Sequence, residues 1–153
     1  MIGLTGVDAV DFNNRYMNTL GTRGFVLPGA VECVRTLSER YRIHLITNGT
    51  ASVQHTRLAD SGLLPYIDGV FISQEVGADK PSPVFFDTVL HAIGDPDRSQ
   101  LLIVGDSPTS DIRGGMLSGI DTCWYMPQEI QLPDGIEATF RVHSYEELLI
   151  LLA

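Results

Sequence analysis

The feature that most constrains this chain is an alternation repeated along its length. A short β-branched run is followed by a turn bearing Gly or Asp, and then by a stretch with helical spacing. RIHLIT (Arg42 to Thr47), GVFIS (Gly69 to Ser73), LLIVG (Leu101 to Gly105), DTCWYM (Asp121 to Met126) and ATFRV (Ala138 to Val142) read as strands. Ala51 to Ser61, Pro83 to Ile93 and Ser110 to Ser118 read as the helices between them, with Gly62, Gly94 and Gly119 placed to end each one. Asp11 to Leu20 carries a helical stripe at Phe12, Tyr16 and Leu20. Pro28 opens a second helix, and Ser144 begins a last one through Leu152. Strands separated by helices need crossover connections, which make the sheet parallel and cover both of its faces. The expected fold is a doubly wound, Rossmann-like α/β domain. In such sheets ligands bind off the carboxyl ends of the strands, so the residues that follow each strand matter most.

Composition agrees with one soluble-type domain. At 153 residues, 44% apolar and 19% charged, the chain is too apolar and too weakly charged for disorder. No run approaches the ~18 apolar residues of a membrane span. The start, MIGLTGVDAVDF, lacks the basic and long apolar regions of a signal peptide. Cys33 and Cys123 lie in apolar segments and are too few for a disulfide scaffold, so a reduced, cytoplasmic setting is the expectation. The net charge of −9 argues against nucleic acid or an anionic membrane as partner, but leaves room for a small phosphate ligand.

Three strand ends carry chemistry. After the first strand comes Thr47-Asn48-Gly49-Thr50, a hydroxyl and small residues whose amides can seat a phosphate at a helix N-terminus. The same residues also suit an ordinary strand-to-helix turn. After the second comes Lys80, between small residues and Pro81 and Pro83, on a loop stiffened by proline. It reads as a fixed ammonium for a phosphate, or as a solvated surface lysine. After LLIVG come Asp106 and Asp111. Two carboxylates at one strand end suit a hard cation such as Mg2+. Asp111 alone is also explained as an acid at a helix start. Arg113-Gly114-Gly115 lets the next helix pack closely on the sheet, with Arg113 as a structural ion-pair partner. Trp124 and Tyr125 read as packing, and Met126 to Gly135 as a surface loop.

The order hydroxyl, lysine, acidic pair resembles the haloacid dehalogenase-like hydrolase superfamily, most of whose members are Mg2+-dependent phosphatases. The resemblance covers Leu27 to Leu152. It implies that Thr47, with Asn48 and Gly49, binds the transferring phosphoryl group. It further implies that Lys80 is the catalytic lysine that stabilises phosphate and nucleophile, and that Asp106 and Asp111 place Mg2+. The segments LPGAVECVRTLSERYRIHLITNGT, FISQEVGADKPSP, VGDSPTSDIRGG and GIDTCWYM are similar to the pyrimidine 5′-nucleotidase branch. That similarity implies a small phosphorylated metabolite, such as a nucleoside monophosphate, as substrate.

The family's first motif, an apolar strand ending in Asp-x-Asp, has no counterpart here. It supplies the nucleophile and the general acid/base. Asp8 and Asp11 are spaced differently and precede a helix, where a cap or a solvated acid is expected. Residues 1–26 are therefore expected to be a remnant of the family's helical cap, and 27–153 a core truncated at its N-terminus. Loss of the attacking group makes inactivity the expectation. In the family that strand lies between the ones ending at Thr47 and Asp106. An open slot would leave unpaired backbone groups at about 1–3 kcal/mol each. Direct pairing of Arg42–Thr47 with Leu101–Gly105, or a strand lent by a second copy, is expected in preference to insertion of Met1–Val10. Gly3 and Gly6 make that segment a poor central strand. Two other functions remain open: a non-catalytic module binding phosphate or a partner, and a response-regulator receiver. The receiver fits poorly, because its acids follow an early strand.

Overall fold

The computed structural model describes residues 8–21, 25–128 and 131–153. Helix α1 (Ala9–Gly21) lies against α3 (Ala51–Ala59). The remaining elements run α2 (Ala30–Ser38), β1 (His44–Thr47), α3, β2 (Gly69–Ile72), α4 (Ser73–Val76), α5 (Pro83–Ala92) and β3 (Leu102–Gly105). A π-helical turn (Pro108–Ile112), α6 (Arg113–Ser118), β4 (Asp121–Tyr125), β5 (Phe140–Val142) and α7 (Tyr145–Leu151) follow. All pairings are parallel, and helices cover both faces, as the alternation requires.

The two faces are set by the period of the strands. On one face Leu102 and Cys123 pack with Cys33 and Leu37 of α2 and with Leu148 of α7. On the other, Phe85, Phe86 and Val89 of α5 pack against Ile46, Phe71 and Ile103. Helix α6 sits close to this second face because it carries Gly114 and Gly115. A Cβ on the first would strike the Phe86 ring, and one on the second would strike Thr122. The loop after β4 is more than a surface connection: Met126 and Ile136 are buried with Ile112 and Trp124.

One expectation fails. Among the described residues the strands do not form a continuous sheet: β1 pairs with β2, and β3 with β4, which in turn pairs with β5. Arg42–Thr47 does not pair with Leu101–Gly105. Helix α5 instead joins the two sheets through side chains, touching β1, β2 and β3 at once. The Ile46 carbonyl of β1 is satisfied by the Lys80 ammonium at 2.9 Å rather than by a strand. Val104 of β3 stays 42% exposed, so the face it points to is not fully covered. The alternative of inserting Met1–Val10 falls mostly outside the described residues, and Ala9 and Val10 belong to α1. Among the described residues no helix is long and apolar enough to cross a membrane.

Candidate phosphate and cation site

Lys80 leaves β2 through α4 and a loop, and its ammonium returns to the ends of β1 and β3. Nζ donates to Ile46 O at 2.9 Å and to Asp111 Oδ1 at 2.7 Å. The two side chains are 8% and 9% exposed, so this is a buried ion pair and not a solvated surface lysine. Such a pair persists only when its geometry offsets the desolvation of both charges.

Asp111 reaches this position because the chain after β3 does not enter an α-helix directly. Ser107 O accepts from both Asp111 N (2.9 Å) and Ile112 N (3.2 Å), and the second bond spans five residues. This π-turn replaces the start of the helix expected from Ser110, and π-turns recur at functional sites. Asp111 Oδ2 accepts from the Ser107 amide at 3.1 Å. The carboxylate lies so close to the end of β3 that a Cβ at position 105 would overlap it, so Gly105 is required there. Asp106 lies at the same strand end with an exposed side chain. Its carbonyl is held by the Trp124 indole N–H at 3.0 Å.

The turn after β1 is tied into the same corner. Thr47 is half-buried, and its hydroxyl donates to Asn48 O over a long 3.4 Å. The Asn48 carboxamide grips the Lys80 main chain: Oδ1 accepts from Lys80 N at 2.8 Å and Nδ2 donates to Lys80 O at 3.0 Å. The Gly49 amide donates to Ser73 Oγ at 3.0 Å, and the Ala51 amide to Gln74 Oε1 at 2.7 Å. Two amides at the start of α3 that could face an anion are therefore engaged by α4. Helix α4 has little signature in the sequence beyond a Ser-Gln pair directly after a strand, and neither Ser107 nor the grip of Asn48 has any.

Thr47, Asn48, Lys80 and Asp111 are thus brought together, with Asp106 beside them on the strand end. His55, to which the sequence assigned nothing, pairs with Glu75 at 2.7 Å on the exposed side of α3 and α4. Arg113 is exposed and makes no ion pair among the described residues, contrary to the structural role expected of it. Asp8 caps α1 through the Val10 amide at 2.8 Å, and Asp11 pairs with Arg15 at 3.0 Å on the surface. The one Asp-x-Asp in the chain, Asp95-Pro96-Asp97, precedes β3 and so lies at the wrong end of the strand. There Asp97 accepts from Ser99 at 2.9 Å.

The donors at this corner fit a magnesium ion. Among the described residues the Asp106 carboxylate makes no hydrogen bond or ion pair, and Asp111 has used two of its roughly four lone-pair sites. Mg2+ keeps several waters and binds through one or two carboxylates plus phosphate oxygens. Among the described residues no three His, Cys, Asp or Glu side chains form a cluster that could hold a metal unaided. Nearby, burial first, and then Tyr125 and Asp106, push the Tyr145 hydroxyl up to about 12. The Tyr145 ring stacks on Tyr125 at 4.9 Å.

Several known proteins are similar to this chain. Over 146 residues the chain is 40% identical to the pyrimidine 5′-nucleotidase YjjG of Escherichia coli, covering 95% of this chain and 65% of that protein. It is 39% identical to the pyrimidine 5′-nucleotidase PynA of Streptococcus pneumoniae, covering 88% of this chain and 57% of that one. The chain thus spans about three fifths of the length of these curated relatives. A crystal structure of the HAD-hydrolase YfnB from Bacillus subtilis, bound to magnesium, superposes with a TM-score of 0.90 at 33% identity. That match covers 96% of this chain and 65% of the other. The model of the haloacid dehalogenase-like hydrolases matches residues 3–119, and this chain belongs to that family.

Proposed function

We propose that this chain carries the phosphate- and cation-holding part of a Mg2+-dependent phosphohydrolase that acts on a nucleoside monophosphate. The observation that carries the reading is the buried Lys80–Asp111 pair at the ends of β1 and β3. Lys80 supplies the positive charge for a phosphoryl group and Thr47 a hydroxyl, while the Asn48–Gly49 turn forms the adjoining wall. Asp106 and Asp111 would hold Mg2+, which when bound would neutralise phosphate charge. The rest of the work falls to residues of this chain. Lys80 and Thr47 fix the phosphate, while Gly105 and Ser107 hold Asp111 in place. The nucleotide preference is supported by similarity to the two proteins named as pyrimidine 5′-nucleotidases. Residues 1–26 stand for the end of a helical cap, and 27–153 for the core. The two buried free cysteines fit a reduced, cytoplasmic setting.

No apolar strand in these 153 residues ends in Asp-x-Asp, the motif that would supply an attacking carboxylate to this corner. Phosphoryl transfer rests on positioning and charge, yet an attacking group must be present. The same observation favours a second reading, a module that binds phosphate without turning it over. The test offers the chain a nucleoside monophosphate or its nucleoside, each with Mg2+. Binding of the monophosphate alone, without phosphate release, is expected. Mg2+-dependent release that disappears in Asp106→Ala would show that another acid attacks. Equal binding of nucleoside and monophosphate would defeat the phosphate reading.

A further inference from the structure

The contacts around Lys80 divide into two sets. Ile46 O and Asp111 Oδ1 hold its ammonium, while Asn48 holds its main chain. A loop residue has no ladder of strand bonds to fix it, and a lysine side chain has several rotatable bonds to order. Where the ammonium stands therefore depends on where the Lys80 backbone is held. One carboxamide satisfies both the N–H and the C=O of Lys80, at 2.8 and 3.0 Å. Only one orientation of the amide does this, because the flipped one sets donor against donor and acceptor against acceptor. Asn48 is anchored in turn, since its own carbonyl accepts from Gln54 Nε2 at 3.3 Å. The path Gln54, Asn48, Lys80, Asp111, Ser107 ties together the turns that follow β1, β2 and β3.

We infer that Asn48 is a positioning residue for Lys80 rather than a phosphate ligand: its carboxamide fixes the lysine backbone so that the ammonium stands between β1 and β3. The consequence for phosphate rests on the function proposed above, but the positioning itself does not. Lys80 is the only lysine in the chain, so a lysine label reports on this site alone.

The experiment uses the full chain labelled with 15N at lysine Nζ. Wild type should show one ammonium resonance shielded from exchange with water. Asn48→Ala should speed that exchange by about tenfold or more, because the buried ammonium loses the exposed carboxamide grip that fixes its backbone, and leave the amide spectrum of β4, β5 and α7 in place. Asn48→Asp keeps an acceptor for the Lys80 N–H but turns an oxygen toward the Lys80 C=O. It should also speed exchange, and it carries the comparison if the alanine variant does not fold. A titration with inorganic phosphate runs in parallel, and phosphate binding should weaken along with the shielding. Unchanged ammonium exchange in a folded Asn48 variant overturns the assignment. If phosphate binding is lost in that same variant, Asn48 is a phosphate ligand instead. A wild type that binds no phosphate, with shielding still lost in Asn48→Ala, defeats the phosphate reading and leaves the positioning role standing.

Discussion

Asp111 shows how much one carboxylate can depend on its neighbours. Gly105 leaves the space it occupies, the π-turn points it inward, and Lys80 and the Ser107 amide engage its oxygens. Removing one partner strands the other as a buried charge. Asp111→Ala should therefore cost about 3–5 kcal/mol in chemical denaturation. The double variant Lys80→Met, Asp111→Leu should recover most of that loss, because buried pairs are often replaceable by apolar groups of similar size. Additive losses in the double variant would show that the pair is not the coupled unit described here. Gly105→Ala forces a methyl group onto the Asp111 carboxylate and should cost about 1–3 kcal/mol, as overpacking does. It should also weaken phosphate binding. The sequence showed that Thr47, Lys80, Asp106 and Asp111 follow strand ends. It did not show that Lys80 turns back onto Asp111, because that depends on the π-turn and on Asn48, neither of which has a periodic signature.

Elements with strong periodicity were legible. Helix α5 was read as Pro83 to Ile93 and runs Pro83–Ala92, because Pro83 fits a first turn and Gly94 takes a positive φ of 92° past its end. Helix α7 starts at Ser144 as read, since the Ser144 hydroxyl accepts from Glu147 N at 3.1 Å while Glu147 accepts from His143 N at 2.7 Å. Ser144→Ala should lower stability by about 1 kcal/mol, visible as an earlier denaturant midpoint with unchanged slope. Shorter elements were not legible. Helix α4 has four residues and so too few positions for a period, and the π-turn breaks the period of α6. The face formed by α2 and α7 also sets a pH response. Burial holds the Cys123 thiol at about 11 against an ordinary 9.0, and Tyr145 at about 12 against 10.0. In both cases the folded state keeps a proton that the unfolded chain releases. Stability from these groups is complete below pH 9 and should fall as pH rises from 9 toward 12. Cys123→Ala should flatten the lower part of that fall, and an unchanged profile would remove the thiol from the explanation.

At the scale of the whole molecule, the alternation of strands and helices fixed the class of fold but not the continuity of its sheet. The expected closure needed β1 to meet β3, and pattern alone carries no information on strand order. Here α5 and Lys80 join the two sheets through side chains, while among the described residues β1 and β3 each pair on one side. Such edges are templates for a strand from another chain. Self-association is therefore expected in size-exclusion chromatography with light scattering, above the 16.8 kDa of one chain. A strict monomer with freely exchanging β1 and β3 amides would contradict that expectation. The central claim, that the corner built on Lys80 and Asp111 is a phosphate site, has a more direct test. Titration calorimetry with inorganic phosphate and Mg2+ should show one site in the wild type and a loss of about tenfold or more in Lys80→Met, the scale expected for a charge-assisted contact. Equal phosphate affinity in wild type and Lys80→Met would contradict the account.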